Sequence, residues 1–318
     1  MEIETALPRC PDTGKPILEI SHSGLNTFNS CPKKWAFRKA ILNFNEERTS
    51  STAADVGTAM HEGVQHYMVH KDVDLALEAM AKAHPIELQD NAKANQYSLE
   101  ASTITLLALI QSRQLDEYEL AYFIVDGERK PAVEIGFLVI IELEHVVLHL
   151  RGFIDLVLLS MASDRMMAVD IKTTTPQGAA FFREKYMYDY QCTSYGIPLQ
   201  GLLGVDGDFD TAIFGIIQSD REPRFPFEPF RRTQQDVDDY YYWLFDAAER
   251  MQRFWLAQRF PRGPNSCVAY SKPCHYMNVC TLQTVPEMQN YMNPARKSGA
   301  PSRPFTPTFT ARLTHDRS

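Results

Sequence analysis

Between Thr52 and His70, apolar side chains recur at Val56, Met60, Val64, Tyr67 and Met68, close to the 3.6-residue period of a helix with one buried face. Two more helical stretches are expected, at about residues 73–84 and 95–121. Upstream, Ser23 to Ala40 reads as a corner of two helices, with Pro32 where the second can start without losing a hydrogen bond. After Gly127 the pattern changes. Val133 to Ile141, Val146 to Leu159 and Met166 to Lys172 are aliphatic, β-branched runs without breakers, and read as strands. Tyr186 to Leu203 returns to helix, with Gly196 and Pro198 as an early end or kink. Thr211 to Gln218 is a further strand, and Phe225 to Arg231 an edge strand because of its prolines. From Asp236 to Gln258, Val237, Tyr241, Leu244, Phe245, Ala248, Met251 and Trp255 fall on one face of a long helix.

The expected order is a helical lobe, a strand–strand–strand–helix–strand core, then a helix and a cysteine-rich segment. Residues 1–20 hold three prolines and read as an extended arm. Residues 21–292 are expected to form the main domain. Residues 293–318 carry five bases against one acid and few aliphatics, the composition of a disordered basic tail. Overall, 40 acids against 32 bases give a formal net charge of −8. That excludes a protein that coats nucleic acid by bulk charge, but not an enzyme with a local basic groove. No apolar run is long enough for a transmembrane helix, and the start of the chain has no apolar secretory core. A reducing cytoplasm is expected. There the six cysteines are thiols or metal ligands rather than disulfides.

The sharpest chemistry lies between Arg151 and Thr174. If the two strands form a hairpin with Leu159 opposite Met166, Asp155 faces Asp170, and Lys172 points to the same side as Asp170. Two carboxylates and an ammonium group then converge inside runs as apolar as FIDLVLLS and MMAVDIK. Adjacent buried carboxylates repel, and a hard divalent cation such as Mg²⁺ or Mn²⁺ resolves the conflict. The plain alternative is a surface salt bridge to Lys172.

These residues resemble the PD-(D/E)XK nuclease superfamily, in particular its RecB-type exonuclease branch. In that family an Asp on one strand precedes Asp/Glu-X-Lys on the next, matched here by Asp155 and by Asp170-Ile171-Lys172. Gly57-Thr58-Ala59-Met60-His61 matches an upstream Gly-x-x-x-His, and Gln191-Cys192-Thr193-Ser194-Tyr195 a downstream Gln-x-x-x-Tyr. The resemblance covers roughly residues 21–285. It implies a restriction-endonuclease-like α/β core of mixed sheet flanked by helices. It also implies a metal held by His61, Asp155, Asp170 and the Ile171 carbonyl, and Lys172 orienting the attacking water. By the same likeness, Gln191 and Tyr195 contact DNA or brace the site. Glu134, on the preceding strand where relatives often carry an acid, reads as an exposed strand residue rather than a helper.

Four cysteines stand apart: Cys31, and Cys267, Cys274 and Cys280 in CVAYSKPCHYMNVC. Thiolates select soft metals, zinc or iron. One cysteine far upstream of three resembles the RecB-type nucleases with a [4Fe–4S] cluster, including the CRISPR-associated Fe–S exonucleases. The resemblance implies a structural cluster, with Zn²⁺ and a His275 ligand as alternatives. Cys192 reads as a small core residue, and Cys10 has no assigned role. Local bases beside aromatics (Lys33, Lys34, Arg38 and Lys39 near Trp35 and Phe37; Arg183 and Lys185 near Phe181, Phe182 and Tyr186; Arg221, Arg224, Arg231 and Arg232) are candidate contacts for single-stranded DNA. The expected activity is metal-dependent exonucleolytic hydrolysis of single-stranded or frayed DNA, in recombination, repair, replication or phage DNA processing. The alternatives are a structure-specific endonuclease on the same core and a nuclease-derived binding module. No GxxxxGK[ST] motif is present, so unwinding needs a helicase or recombination partner.

Overall fold

The computed structural model describes residues 7–38, 52–89, 97–125, 127–176, 179–203, 208–218, 222–269, 272–281 and 307–314. The main sheet has the strand order Phe309–Thr314, Val133–Glu142, Val147–Ser160, Arg165–Thr174, Phe209–Ile217, Phe227–Arg232. Ile17–Ile20 and Tyr118–Leu120 also pair with Val147–Ser160. The sheet is mixed. Arg165–Thr174 runs antiparallel to the strand before it and parallel to Phe209–Ile217, because the helix Tyr190–Leu203 carries the chain back between the parallel pair. This is the expected α/β core of mixed sheet with flanking helices. The chain divides into two compact units: Met1–Arg48 with Leu138–Gly152 and Asp239–Ser318, and Thr49–Phe137 with Phe153–Asp238.

The second of these units is built around the Thr52–His70 helix. Ala59, Met60, Val64 and Met68 on one side of that helix join Leu156, Leu158, Val169 and Ile171 from the strands in one buried cluster. Each large aliphatic withdrawn from water in this way contributes about 1.5–3 kcal/mol. Two helix glycines permit the close approach. A Cβ on Gly57 would lie 2.7 Å from Thr173 Oγ1, and one on Gly63 2.7 Å from Leu106 Cδ2. The opposite face of Arg165–Thr174 carries Asp170 and Lys172 and is met by Tyr190–Leu203.

Several expected elements are redrawn. The helix expected over 95–121 stops at Gln111. Arg113 takes a left-handed backbone (φ 56°), a short 3₁₀ turn follows, and Tyr118–Leu120 pairs as a strand with Leu158–Ser160. Sheet pairing outcompeted local helix preference there. The helix expected over 186–203 is two helices, Phe182–Met187 and Tyr190–Leu203. The break falls at Asp189, whose carboxylate accepts from the Gln191 N–H at 2.9 Å. Pro198 lies inside the second helix instead of ending it. The hairpin Tyr122–Val125/Glu128–Pro131 was not anticipated.

In the other unit, residues read as a loose arm are partly structured. The Cys10 and Lys15 backbones close a turn around Gly14 (φ 68°), and Ile17–Ile20 pairs in parallel with Val147–Leu150. Cys10 is buried with Ile17 and Val147. Ser21 caps the helix His22–Ser30, and Pro32–Arg38 follows directly. Within the tail read as disordered, Phe309–Thr314 is a strand. Its apolar–polar alternation suits a sheet edge, a signal masked by the surrounding Pro and Ser. The rest of that tail, apart from Pro307 and Thr308, lies outside the described residues. Among the described residues, no helix is long and apolar enough to cross a membrane.

Candidate active site

The predicted hairpin register is present. Leu159 faces Met166, and the pairing continues to Leu156 opposite Val169. Regular pairing ends one step before Asp155 and Asp170. There the Asp155 carboxylate replaces a backbone carbonyl, and its Oδ2 accepts from the Ile171 N–H at 2.7 Å. His61, from the Thr52–His70 helix, brings Nδ1 to 3.6 Å from the same oxygen. Asp155 and Asp170 are both buried, at 9% and 2% exposure.

Asp170 is held from two directions. Its Oδ1 accepts from Tyr195 Oη at 2.8 Å and from Gln191 Nε2 at 2.9 Å. Gln191 Nε2 also donates to Tyr195 Oη at 2.6 Å, which closes a three-membered network. The spacing of four residues puts both side chains on one helix face. Asp170 Oδ2 makes no directional hydrogen bond, but the Lys172 ammonium lies directly against it as an ion pair. All of His61, Asp155, Asp170, Lys172, Gln191 and Tyr195 therefore meet within one unit, as the sequence motifs implied.

The protonation states follow from burial and neighbouring charge. Burial, opposed by the Asp170 charge and aided by that of Lys172, lowers the His61 imidazole to about 4, so at neutral pH it is an uncharged lone-pair donor. Burial, and then the charge of Asp170, holds the Asp155 carboxyl well above the usual carboxylate range. Burial opposes the charged form of Lys172, yet Asp170 and Asp155 outweigh it and the ammonium is stabilised. Burial and the Asp170 charge keep the Tyr195 phenol protonated. Among the described residues, no three His, Cys, Asp or Glu side chains are spaced as a ligand shell. Lys172 and the Ile171 N–H occupy the oxygens that would face a cation. The donor set nevertheless fits a hard divalent ion. It offers two buried, mutually repelling carboxylates and a neutral imidazole, and one carboxylate is costly to ionise without a cation.

Two further residues belong to this neighbourhood. Gln65, one turn beyond His61 and 6% exposed, donates to Glu134 Oε1 at 2.7 Å. Glu134 adopts a left-handed backbone (φ 47°) inside a strand, an uncommon conformation for a residue with a side chain, and its charge raises Asp155 further. Its exposure was anticipated; its tether was not. The four-residue step from His61 to Gln65 was the available signal.

The four separated cysteines line one cavity of about 190 Å³ in the other unit, with Lys34 and Arg262 at its wall. Cys31 Sγ accepts from the Lys34 and Gly263 N–H groups at 3.4 and 3.3 Å. The Cys274 N–H donates to the Cys267 carbonyl at 2.7 Å. A Cβ on Gly263 would lie 1.9 Å from the Ser30 carbonyl oxygen, so only glycine lets the late chain reach Cys31. Burial raises the Cys280 thiol, Lys33 pulls it back, and Cys31 and Cys274 push it up again. Thiols are the donors a soft metal takes, but among the described residues no three of them are spaced as a ligand shell. Cys192 is a core residue as expected, packed with Phe182, Tyr186, Ile213 and Phe230.

Several members of the basic–aromatic clusters are structural. Trp35, Phe37, Phe182 and Tyr186 are buried. Arg232 is buried against the Met187 carbonyl, Arg231 pairs with Asp208 and Asp210, and Arg183 pairs with Glu228. Lys39 and Arg221 lie outside the described residues.

The sequence profile of the PD-(D/E)XK nuclease superfamily matches residues 19–281. The chain belongs to that superfamily. Among solved structures, it is similar to a candidate exonuclease from Eubacterium rectale, at 15% identity and a TM-score of 0.42, covering 83% of this chain and 93% of that one. It is also similar to SSO0001, at 13% identity and a TM-score of 0.28, covering 77% and 92%. Both likenesses are distant, and the assignment rests on the family match. No curated protein matches the sequence. As a member of this superfamily the chain is read as a nuclease, and its acid–lysine centre is the candidate site of the reaction.

Proposed function

We propose that this nuclease is a divalent-metal-dependent DNA exonuclease acting on single-stranded or frayed ends. The observation that supports it is the convergence of Asp155, Asp170, Lys172 and His61 at the end of the hairpin. Asp155, Asp170, His61 and the Ile171 carbonyl would hold Mg²⁺ or Mn²⁺. When bound, such an ion supplies Lewis acidity toward a phosphoryl oxygen and toward the attacking water. The chain's own groups do the rest. Lys172, moved from Asp170 Oδ2 toward the scissile phosphate, orients the water and offsets charge building on the phosphorus oxygens. Gln191 and Tyr195 fix Asp170 Oδ1, so that Oδ2, now covered by Lys172, points one way. His61 keeps its lone pair available because it stays unprotonated. In this reading, residues 21–292 form one functional nuclease region. The four-cysteine cavity carries a [4Fe–4S] cluster as a structural staple joining the Cys31 corner to the 267–280 segment. The setting is a cytoplasm, with a helicase or recombination protein to open the duplex.

The test compares wild type with Lys172→Ala on 5′- and 3′-labelled single strands and on closed circles, with Mg²⁺ and with Mn²⁺. Stepwise shortening of linear strands by wild type, slowed roughly 10²–10⁴-fold in the variant, is expected. Cutting of circular single strands would replace the exonuclease with an endonuclease. Equal inertness of both proteins would remove the enzyme reading.

A further inference from the structure

The short helix Phe182–Met187 is attached by two of its rings. Phe182 and Tyr186 are buried, at 7% and 8% exposure, in a cluster with Cys192, Ile213 and Phe230. The Phe182 ring fills the space above Gly215, where a Cβ would stand 2.6 Å from it. Gly215 is the neighbour of Lys172 across the parallel strand pair, so this helix lies over the face that carries Lys172. At either end of the anchored helix an aromatic ring projects into water: Phe181 is 78% exposed and Tyr188 80%. Tyr188 is three residues from Gln191, which touches Asp170, so their Cα atoms are at most about 11 Å apart.

Phe181 also carries a backbone cost. It holds φ 59° and ψ 31°, the left-handed region that glycine or asparagine adopts more readily than a bulky residue. The position thus keeps a phenyl group that neither packs nor suits its backbone. Features that lower stability without a packing return gather where a ligand uses them. Lys185, on the same helix, is exposed, with its Nζ 4.9 Å from the centre of the Tyr186 ring.

We propose that Phe181 and Tyr188 form a base-stacking clamp that receives the unpaired bases of the strand being digested, next to the Lys172 face. The proposal deepens the nuclease reading and rests on it. Aromatic rings of this kind accept any base, because every base has a π face. Lys185 lies where it can meet the phosphate between stacked bases. The clamp assigns the enzyme to unpaired strands, since paired bases present no free face.

The test uses the full chain carrying Phe181→Gly, Tyr188→Ala, both together, and Phe181→Trp. Two oligonucleotides are compared, one normal and one with a run of abasic residues near the digested end. The double variant should raise KM on the normal strand roughly tenfold while leaving kcat within about twofold. It should leave the abasic strand unchanged, and wild type should itself show the higher KM on that strand. Phe181→Trp should retain wild-type KM. Phe181→Gly should raise the melting temperature while weakening the normal strand, because glycine suits the left-handed backbone. A purely structural role predicts the reverse. Equal loss on both strands, or no loss on either while wild type cleaves, overturns the clamp and leaves the nuclease reading standing. A wild type as inert as Lys172→Ala overturns the nuclease reading and the clamp with it.

Discussion

The acid–lysine centre and the cysteine cavity are held in different ways. In the first, every reacting group has a named partner. Asp155 takes the Ile171 N–H, Asp170 takes Tyr195 and Gln191, and Lys172 rests on Asp170. Strand register and one helix spacing set these contacts, so the site is largely pre-positioned by its own protein bonds. In the second, four thiols line a cavity, and among the described residues only Cys31 receives hydrogen bonds on sulfur from two backbone amides. There a two-residue hairpin, Val268–Ala269 with Lys272–Pro273, joins Cys267 to Cys274, and close backbone approach at Gly263 brings the late chain to Cys31. A centre wired by the fold should survive loss of its ligand. A centre that relies on its ligand should not.

The largest expected difference is therefore at Cys31. Anaerobically purified wild type should contain iron and acid-labile sulfide, and Cys31→Ala should lose essentially all of both. Closing a loop of more than 200 residues restricts the unfolded chain, so the variant should also melt several degrees lower. Iron retained in Cys31→Ala, or stoichiometric zinc without sulfide in wild type, would break this half of the contrast.

The difference also explains what the sequence disclosed. The hairpin was legible because two apolar runs of similar length flank a short link, and a period of two then dictates which acids face each other. The Thr52–His70 helix was legible from its period alone, and it ends at His70 as expected. What escaped depends on contacts distant in sequence. The Tyr118–Leu120 strand exists only because Val147–Ser160 offers it an edge. The Glu134–Gln65 tether needs a strand bent through φ 47°, which no propensity scale anticipates at glutamate. Among the aromatics, Phe181 and Phe182 look alike in sequence, yet one is exposed and the other fills the space above Gly215. The family motif likewise specified Gly57 without its reason, which is the Thr173 hydroxyl beneath it.

That reason can be tested with a smaller effect. Gly57→Ala places a methyl 2.7 Å from Thr173 Oγ1, closer than atoms settle, so the helix must shift outward by a fraction of an ångström. His61 lies one turn further along and moves with it. A displacement of that size at a ligand is expected to cost roughly tenfold in kcat/KM, with little change in melting temperature because alanine favours the helix. Adding Thr173→Ala removes the obstructing hydroxyl and should restore most of the activity. Failure of the second substitution to rescue the first would mean that Gly57 serves something other than helix approach.

The smallest effect is on stability and has a definite sign. The Asp155 carboxyl lies well above its unfolded value because burial and the Asp170 charge disfavour ionisation. Below pH about 4 the group is protonated both folded and unfolded, and it has no net effect. As pH rises past that point the unfolded chain ionises freely and the folded one resists, so the native state loses stability. Asp155→Asn removes the titration, and its amide oxygen can still accept from the Ile171 N–H. In chelator at pH 7 the variant should therefore melt a few degrees above wild type, with the gap closing as pH falls toward 4. Added Mg²⁺ or Mn²⁺ should reverse the order, because an ion that binds only the native state stabilises it by mass action, and the variant has lost a ligand. A variant less stable than wild type in chelator, or one that gains equally from the ion, would show that Asp155 is held by its hydrogen bond alone and that the two carboxylates do not share a cation.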